Sequence, residues 1–127
     1  MLRQIQKAGD VVIANGAAIS AAIIVPPNYS LVLIEVPTSW TAADMGFAIA
    51  LDGTTFVDVY TGVGTTVARF RMTGIPTGGA SIQLVPGLFE IPVGAEIKLT
   101  SINTASNADA NQSGDITLGV WIGRTSV

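Results

Sequence analysis

Any chemistry in this chain must come from carboxylates, hydroxyls and arginines, because it contains no histidine and no cysteine. Neither a Ser-His nor a Cys-His nucleophile can be assembled from it, and no thiolate or imidazole metal site can form. What remains for acid and base work is Glu35, Asp44, Asp52, Asp58, Glu90 and Glu96. Two such carboxylates flanking a glycosidic bond could hydrolyse it, one protonating the leaving oxygen and the other activating water or attacking carbon. Their spacing selects no pair, and acids beside turn residues ordinarily shape turns and solvate the surface. Calcium is the cation that an all-oxygen donor set could still hold. Asp44, Asp52 and Asp58 form one candidate set, and Asp109, Asn111 and Asp115 another, but there is no Asp-x-Asp-x-Asp loop. Gly62-Val63-Gly64-Thr65-Thr66 has the glycines of a phosphate cradle without the lysine and helix that complete one, so it reads as a hairpin tip. The expectation is a protein that is not an enzyme, with no cofactor and no catalytic or metal-ligating residue.

Binding has more candidates. Arg69 and Arg71 alternate along a strand pattern and so project side by side. Such a pair is either solvated, where it adds little stability, or matched by acids across an interface. Trp40, Tyr60 and Trp121 could stack a sugar ring, although aromatic residues more often fill cores and interfaces. Residues 1–10 show little hydrophobic periodicity and read as an N-terminal arm that reaches a neighbour, attached to one domain over residues 11–127. Arg3, Ile5, Lys7, Arg69 and Arg71 are therefore the interface candidates. The alanine-rich residues 14–22 put small side chains on a strand, which suits close approach of another backbone, or else a thin core.

Composition narrows the partners. Nine acids against six bases leave a net charge of −3, which gives no basic face for nucleic acid. No apolar run reaches the roughly 18 residues of a membrane-spanning helix. The opening imitates a secretory signal, with Arg3 and Lys7 ahead of an apolar stretch, but Asp10, Asn15 and Gly16 interrupt it. Contact with neither nucleic acid nor membrane is expected. Only 12 % of residues are charged while 49 % are hydrophobic, so the chain carries more apolar surface than one small core consumes. That excess points to a homo-oligomer or another covered surface.

The elements that must position these residues are strands, since apolar residues recur at a period of two or in short runs between turn signals. Asn15-Gly16 predicts a two-residue hairpin between residues 11–14 and 17–25. Pro26-Pro27 ends it, and residues 29–36 read as a central strand whose one charge, Glu35, is either at the strand's end or paired. Residues 37–44 form a loop with room for one helical turn, and Trp40 plugs one end of the core. Asp52-Gly53 predicts a second hairpin, and residues 61–64 a further turn. In residues 66–72, Ala68, Phe70 and Met72 share one face and Val67, Arg69 and Arg71 the other. Residues 81–85 and 95–102 are strands separated by a proline-bounded loop over 86–92. Residues 103–114 form a polar surface loop, and residues 115–123 close the chain with Ile116, Leu118, Val120 and Ile122 on one face. About eight short strands predict an all-β, single-domain, jelly-roll-like antiparallel β-sandwich.

Val36-Pro37-Thr38-Ser39-Trp40-Thr41-Ala42-Ala43, followed by Asp52-Gly53-Thr54-Thr55-Phe56, resembles a pattern of small tailed-phage virion proteins, in which a V-P-x-x-W-T-x-A loop leads into a strand ending in D-G-x-x-F/W. Residues 82–89, 97–101, Asn111-Gln112 and the closing strand to Arg124 are similar to the rest of it. The chain departs from the pattern at Leu51, where a serine is usual, and at Asp115, where an arginine is. The resemblance implies a capsid decoration, or cement, protein: a jelly-roll sandwich, often a homotrimer, assembled in the host cytoplasm and seated on the virion exterior against the major capsid protein. The D-G-x-x-F segment also resembles discoidin-like carbohydrate-binding sandwiches. This implies the alternative of a glycan-binding module on a fibre or host-attachment device, with Trp40, Tyr60 and Trp121 as its stacking residues.

Overall fold

The computed structural model describes residues 5–63, 66–86 and 95–124. The chain is all-β, with no helix among the described residues. Its strands are β1 Ile5–Ile13, β2 Ile23–Ile24, β3 Tyr29–Val36, β4 Asp44–Ala50, β5 Val57–Asp58, β6 Tyr60–Val63, β7 Thr66–Arg69, β8 Ser81–Leu84, β9 Glu96–Ile102 and β10 Ile116–Arg124. They form one four-stranded sheet in the order β1-β10-β3-β8, a second in the order β2-β9-β4-β5, and the two-stranded β6-β7 ribbon. Every pairing is antiparallel. The pairings are also nested: β1 meets β10, β2 meets β9, β3 meets β8 and β4 meets β5.

Both four-stranded sheets feed one core, an arrangement consistent with a β-sandwich. Val11 and Ile13 of β1, Leu31, Ile34 and Val36 of β3, and Ile116, Leu118, Val120 and Ile122 of β10 meet Met45 and Phe47 of β4 and Ile97 and Leu99 of β9 in a single buried cluster. The period-two face expected in the closing strand is the face that is buried. Each such aliphatic side chain contributes about 1.5–3 kcal/mol on burial. Trp40 belongs to this cluster at 1 % exposure, with its indole N–H donating to the Ala43 carbonyl at 3.1 Å.

Three local expectations are corrected. Asn15-Gly16 does make a turn, with Gly16 at φ +79° and the Ala17 amide donating to Ala14 O at 2.9 Å, but no hairpin follows. Only the Ile13–Ser20 bridge joins its two sides, because residues 18–20 dock on β9 instead, through Ser101 N to Ala18 O and Ser20 N to Leu99 O. Tertiary pairing has overridden a local turn signal, and the chain crosses from one sheet to the other. Residues 37–44 contain a turn, Trp40 N to Pro37 O, and no helical turn. The described residues contain ten strands rather than about eight, since the two-residue β5 and the β6-β7 ribbon divide what reads in sequence as longer segments. Glu90 and all but the first residue of the proline-bounded loop over 86–92 lie outside the described residues.

Candidate interaction surface

Arg69 and Arg71 turn inward rather than towards a neighbour. Arg69 is only 3 % exposed, and its guanidinium reaches Asp109 at 2.6 Å and Asp58 at 3.1 Å while donating to the Asn107 carbonyl. Arg71 pairs with Asp44 at 3.1 Å and donates to the carbonyls of Asn103 and Ser106 and to Asn107 Oδ1. A guanidinium has five N–H donors in a planar fork, and the two forks here tie the loop over residues 103–109 to the end of β7 and the residues just after it. The interface expected for this pair is thus replaced by an intramolecular clamp. Its partners lie between 11 and 40 residues away in sequence, so nothing local announces it.

The same clamp accounts for three of the candidate carboxylates. Asp44, Asp58 and Asp109 each face an arginine. Asp52 caps its turn by accepting the amides of Thr54 and Thr55 at 2.9 and 2.8 Å, and these two hydrogen bonds, that from Thr55 foremost, hold its carboxyl down to about 2. Asp115 accepts the Asn15 amide at 2.9 Å. Asp44, Asp52 and Asp58 do not converge as a calcium set: among the described residues no three acidic side chains stand close enough to hold a metal.

The remaining expected residues sit on the outer face of the first sheet or away from it. Two cross-strand rows run there, Lys7-Trp121-Leu33-Leu84 and Asp10-Gly119-Glu35-Ile82. A β-bulge between Lys7 and Gly9 inserts one extra residue, which brings Lys7 and Asp10 to the same face and lets them pair at 2.9 Å. That hydrogen bond, ahead of all other influences, raises the Lys7 pKa above its ordinary value. Glu35 folds over Gly119, where a Cβ would come within 2.9 Å of its Oε1, and so accepts the indole N–H of Trp121. Glu35 is paired, as one of its two expected readings had it. Ile5 is exposed at the start of β1, and Arg3 lies outside the described residues. Strand β1 runs through the expected boundary at Asp10, with Ile5, Gln6, Lys7, Gly9 and Asp10 paired to β10.

Trp40, Tyr60 and Trp121 do not form a platform. Trp40 is in the core, Tyr60 is exposed on the β6-β7 ribbon, and Trp121 is half-buried in a central strand. The stacking role expected for Trp40 is excluded by its burial.

Sequence reading missed where the exposed apolar side chains would collect. Ile5 and Val12 lie on β1, Ile24 on β2, Val57 on β5, and Ile82 and Leu84 on β8. These are the four strands at the edges of the two sheets, and central strands β3, β4, β9 and β10 contribute none among the described residues. Near β5, Ile49, Leu51 and Val57 line an open apolar recess of about 570 Å³. Edge strands expose unpaired backbone groups, so apolar side chains there make ready contact with another chain.

No protein-family model, no curated protein and no solved structure matches the chain. No helix among the described residues is long and apolar enough to cross a membrane.

Proposed function

We infer that the chain is a non-enzymatic structural component of a tailed-phage virion, a decoration protein that binds the outside of the capsid and reinforces it through contacts with its own copies and with the major capsid protein. The observation that carries this reading is the partition of its side chains. Eight of its charged side chains, Lys7, Asp10, Glu35, Asp44, Asp58, Arg69, Arg71 and Asp109, bind one another within the chain, while each edge strand of the two four-stranded sheets presents apolar residues. Such a surface is suited to being covered, and repetition over a symmetric shell multiplies modest contacts into firm attachment. The nested pairing supports a jelly-roll sandwich, with β1, β2, β3, β4, β5, β8, β9 and β10 as its eight strands and the β6-β7 ribbon inserted between the fifth and sixth. This is also the fold that the resemblance implies, together with a homotrimer.

The test is to add the purified protein to capsids lacking it. Saturable binding to the outer surface, located by electron cryomicroscopy and accompanied by a higher temperature of shell disruption, is the expected result. No binding at excess protein, to shells of any maturation state, overturns the reading.

A further inference from the structure

We propose that β8 is a self-pairing edge: two copies of this chain join antiparallel about Gln83, extending the four-stranded sheet of each into one continuous sheet. The inference stands on the chemistry of the edge and does not depend on the capsid reading.

The first sheet has two edges, and they differ in what guards them. Strand β1 carries the Lys7–Asp10 ion pair and a bulge that interrupts its ladder, both of which discourage strand addition. Strand β8 carries neither. Its register with β3 is unbroken from Ser81 to Leu84, and the sequence holds no charged residue between Arg71 and Glu90. Ile82 and Leu84 are 62 % and 73 % exposed on it.

The occupant follows from complementarity. The Val85 amide donates to Val32 O of β3, so by the alternation of an extended strand the N–H and C=O groups of Ile82 and Leu84 point to the edge that no other described strand pairs with. Antiparallel pairing with a second copy sets Ile82 against Leu84 of the partner subunit, and Leu84 against Ile82 of the partner subunit. Each of these pairs exchanges both backbone hydrogen bonds and brings two apolar side chains together on one face. Gln83 meets its own copy on the twofold axis, where the two amide side chains can bond reciprocally. A register displaced by one residue would oppose side chains on different faces. No charge is left buried, whereas pairing β8 with β1 would set Ile82 and Leu84 against the ionic groups. The contact is isologous, the commonest closed symmetry, and differs from the threefold that the resemblance implies. Being confined to one short strand, it falls below the roughly 1,200 Å² of a permanent interface, so association depends on concentration.

A single cysteine tests the register, because the chain has none of its own. At a non-hydrogen-bonded antiparallel pair the Cα atoms lie about 4.5 Å apart, within disulfide reach. Under mild oxidation Gln83→Cys is expected to give a covalent dimer, and Val57→Cys, exposed on β5, is not. Sedimentation over a concentration series is expected to show dimerisation of the unmodified chain, with Leu84→Lys raising its midpoint about tenfold or more while its circular dichroism is unchanged. Absence of the Gln83→Cys dimer, or equal cross-linking at position 57, overturns the pairing. So does a Leu84→Lys variant that self-associates normally but no longer binds capsids, since that result assigns the edge to a different chain.

Discussion

The loop over residues 103–109 and the edge strand β8 solve opposite problems with opposite means. The loop is polar, has little apolar surface to bury, and is held by two arginines that between them engage Asp44, Asp58 and Asp109. The edge is apolar, uncharged and partnered on one side only among the described residues. In a chain with so few charges, their placement is informative: eight of them pair within the chain, and β8 carries none. Changes in the loop clamp should therefore alter stability and leave association alone, and changes at β8 should do the reverse.

The strongest way to break this contrast is Arg69→Ala. We expect a loss of about 3 kcal/mol in urea unfolding, the low end for a broken buried pair, because Asp58 and Asp109 are 40 % and 60 % exposed and can rehydrate. The midpoint of self-association, measured where the variant is still folded, should not move. If it does, the clamp also shapes the interface and the division fails.

Next in size is Gln112→Ala. Gln112 is 1 % exposed, accepts the Thr41 amide at 2.7 Å and donates to Thr41 O and Ser101 Oγ, so its amide acts as a substitute strand for the residue beside Trp40. Truncation leaves these groups without partners and should cost about 2 kcal/mol, read by thermal unfolding. Thr100→Val should act in the other direction. Thr100 Oγ1 is the buried side-chain polar atom without a hydrogen-bond partner among the described residues, so replacing it with a methyl of similar size should add about 1 kcal/mol by the same measurement.

The edge supplies the counterpart. Leu84→Ser should change unfolding free energy by less than about 0.5 kcal/mol, since the side chain is 73 % exposed, while weakening association. The smallest effect concerns a turn that belongs to neither region. The Asp52 carboxyl, held at about 2 against an ordinary 3.8, favours the folded state at every pH above the higher value and loses that contribution as pH falls through the lower one. Asp52→Asn should therefore narrow the difference in stability between pH 6 and pH 2, measured by urea unfolding at both.

How much of this could be read from the residues divides along the same line as the physics. Strand character, the central place of β3 and the buried face of Ile116, Leu118, Val120 and Ile122 follow from periodicity, which is local, and the core position of Trp40 from the size of an apolar side chain in a loop beside a strand. The Asn15-Gly16 turn was legible, but its hairpin was not, because the competing partner, β9, lies far along the chain. The side-by-side arginines were legible as a pair, and their partners were not, for the same reason. Exposure at the edges was beyond reach, since a strand becomes an edge only when the order of the sheets is known.

Strand β10 lies between β1 and β3, and it is the last in sequence of the described strands. Until the ribosome has released residues 116–124, neither of the strands that flank it has a neighbour there, and the first sheet exists only as separate pieces. Contacts this distant in sequence slow folding to milliseconds or seconds. The first sheet therefore cannot close from the residues that precede β10, and any contact made through that sheet must wait for residues 116–124 to be in place.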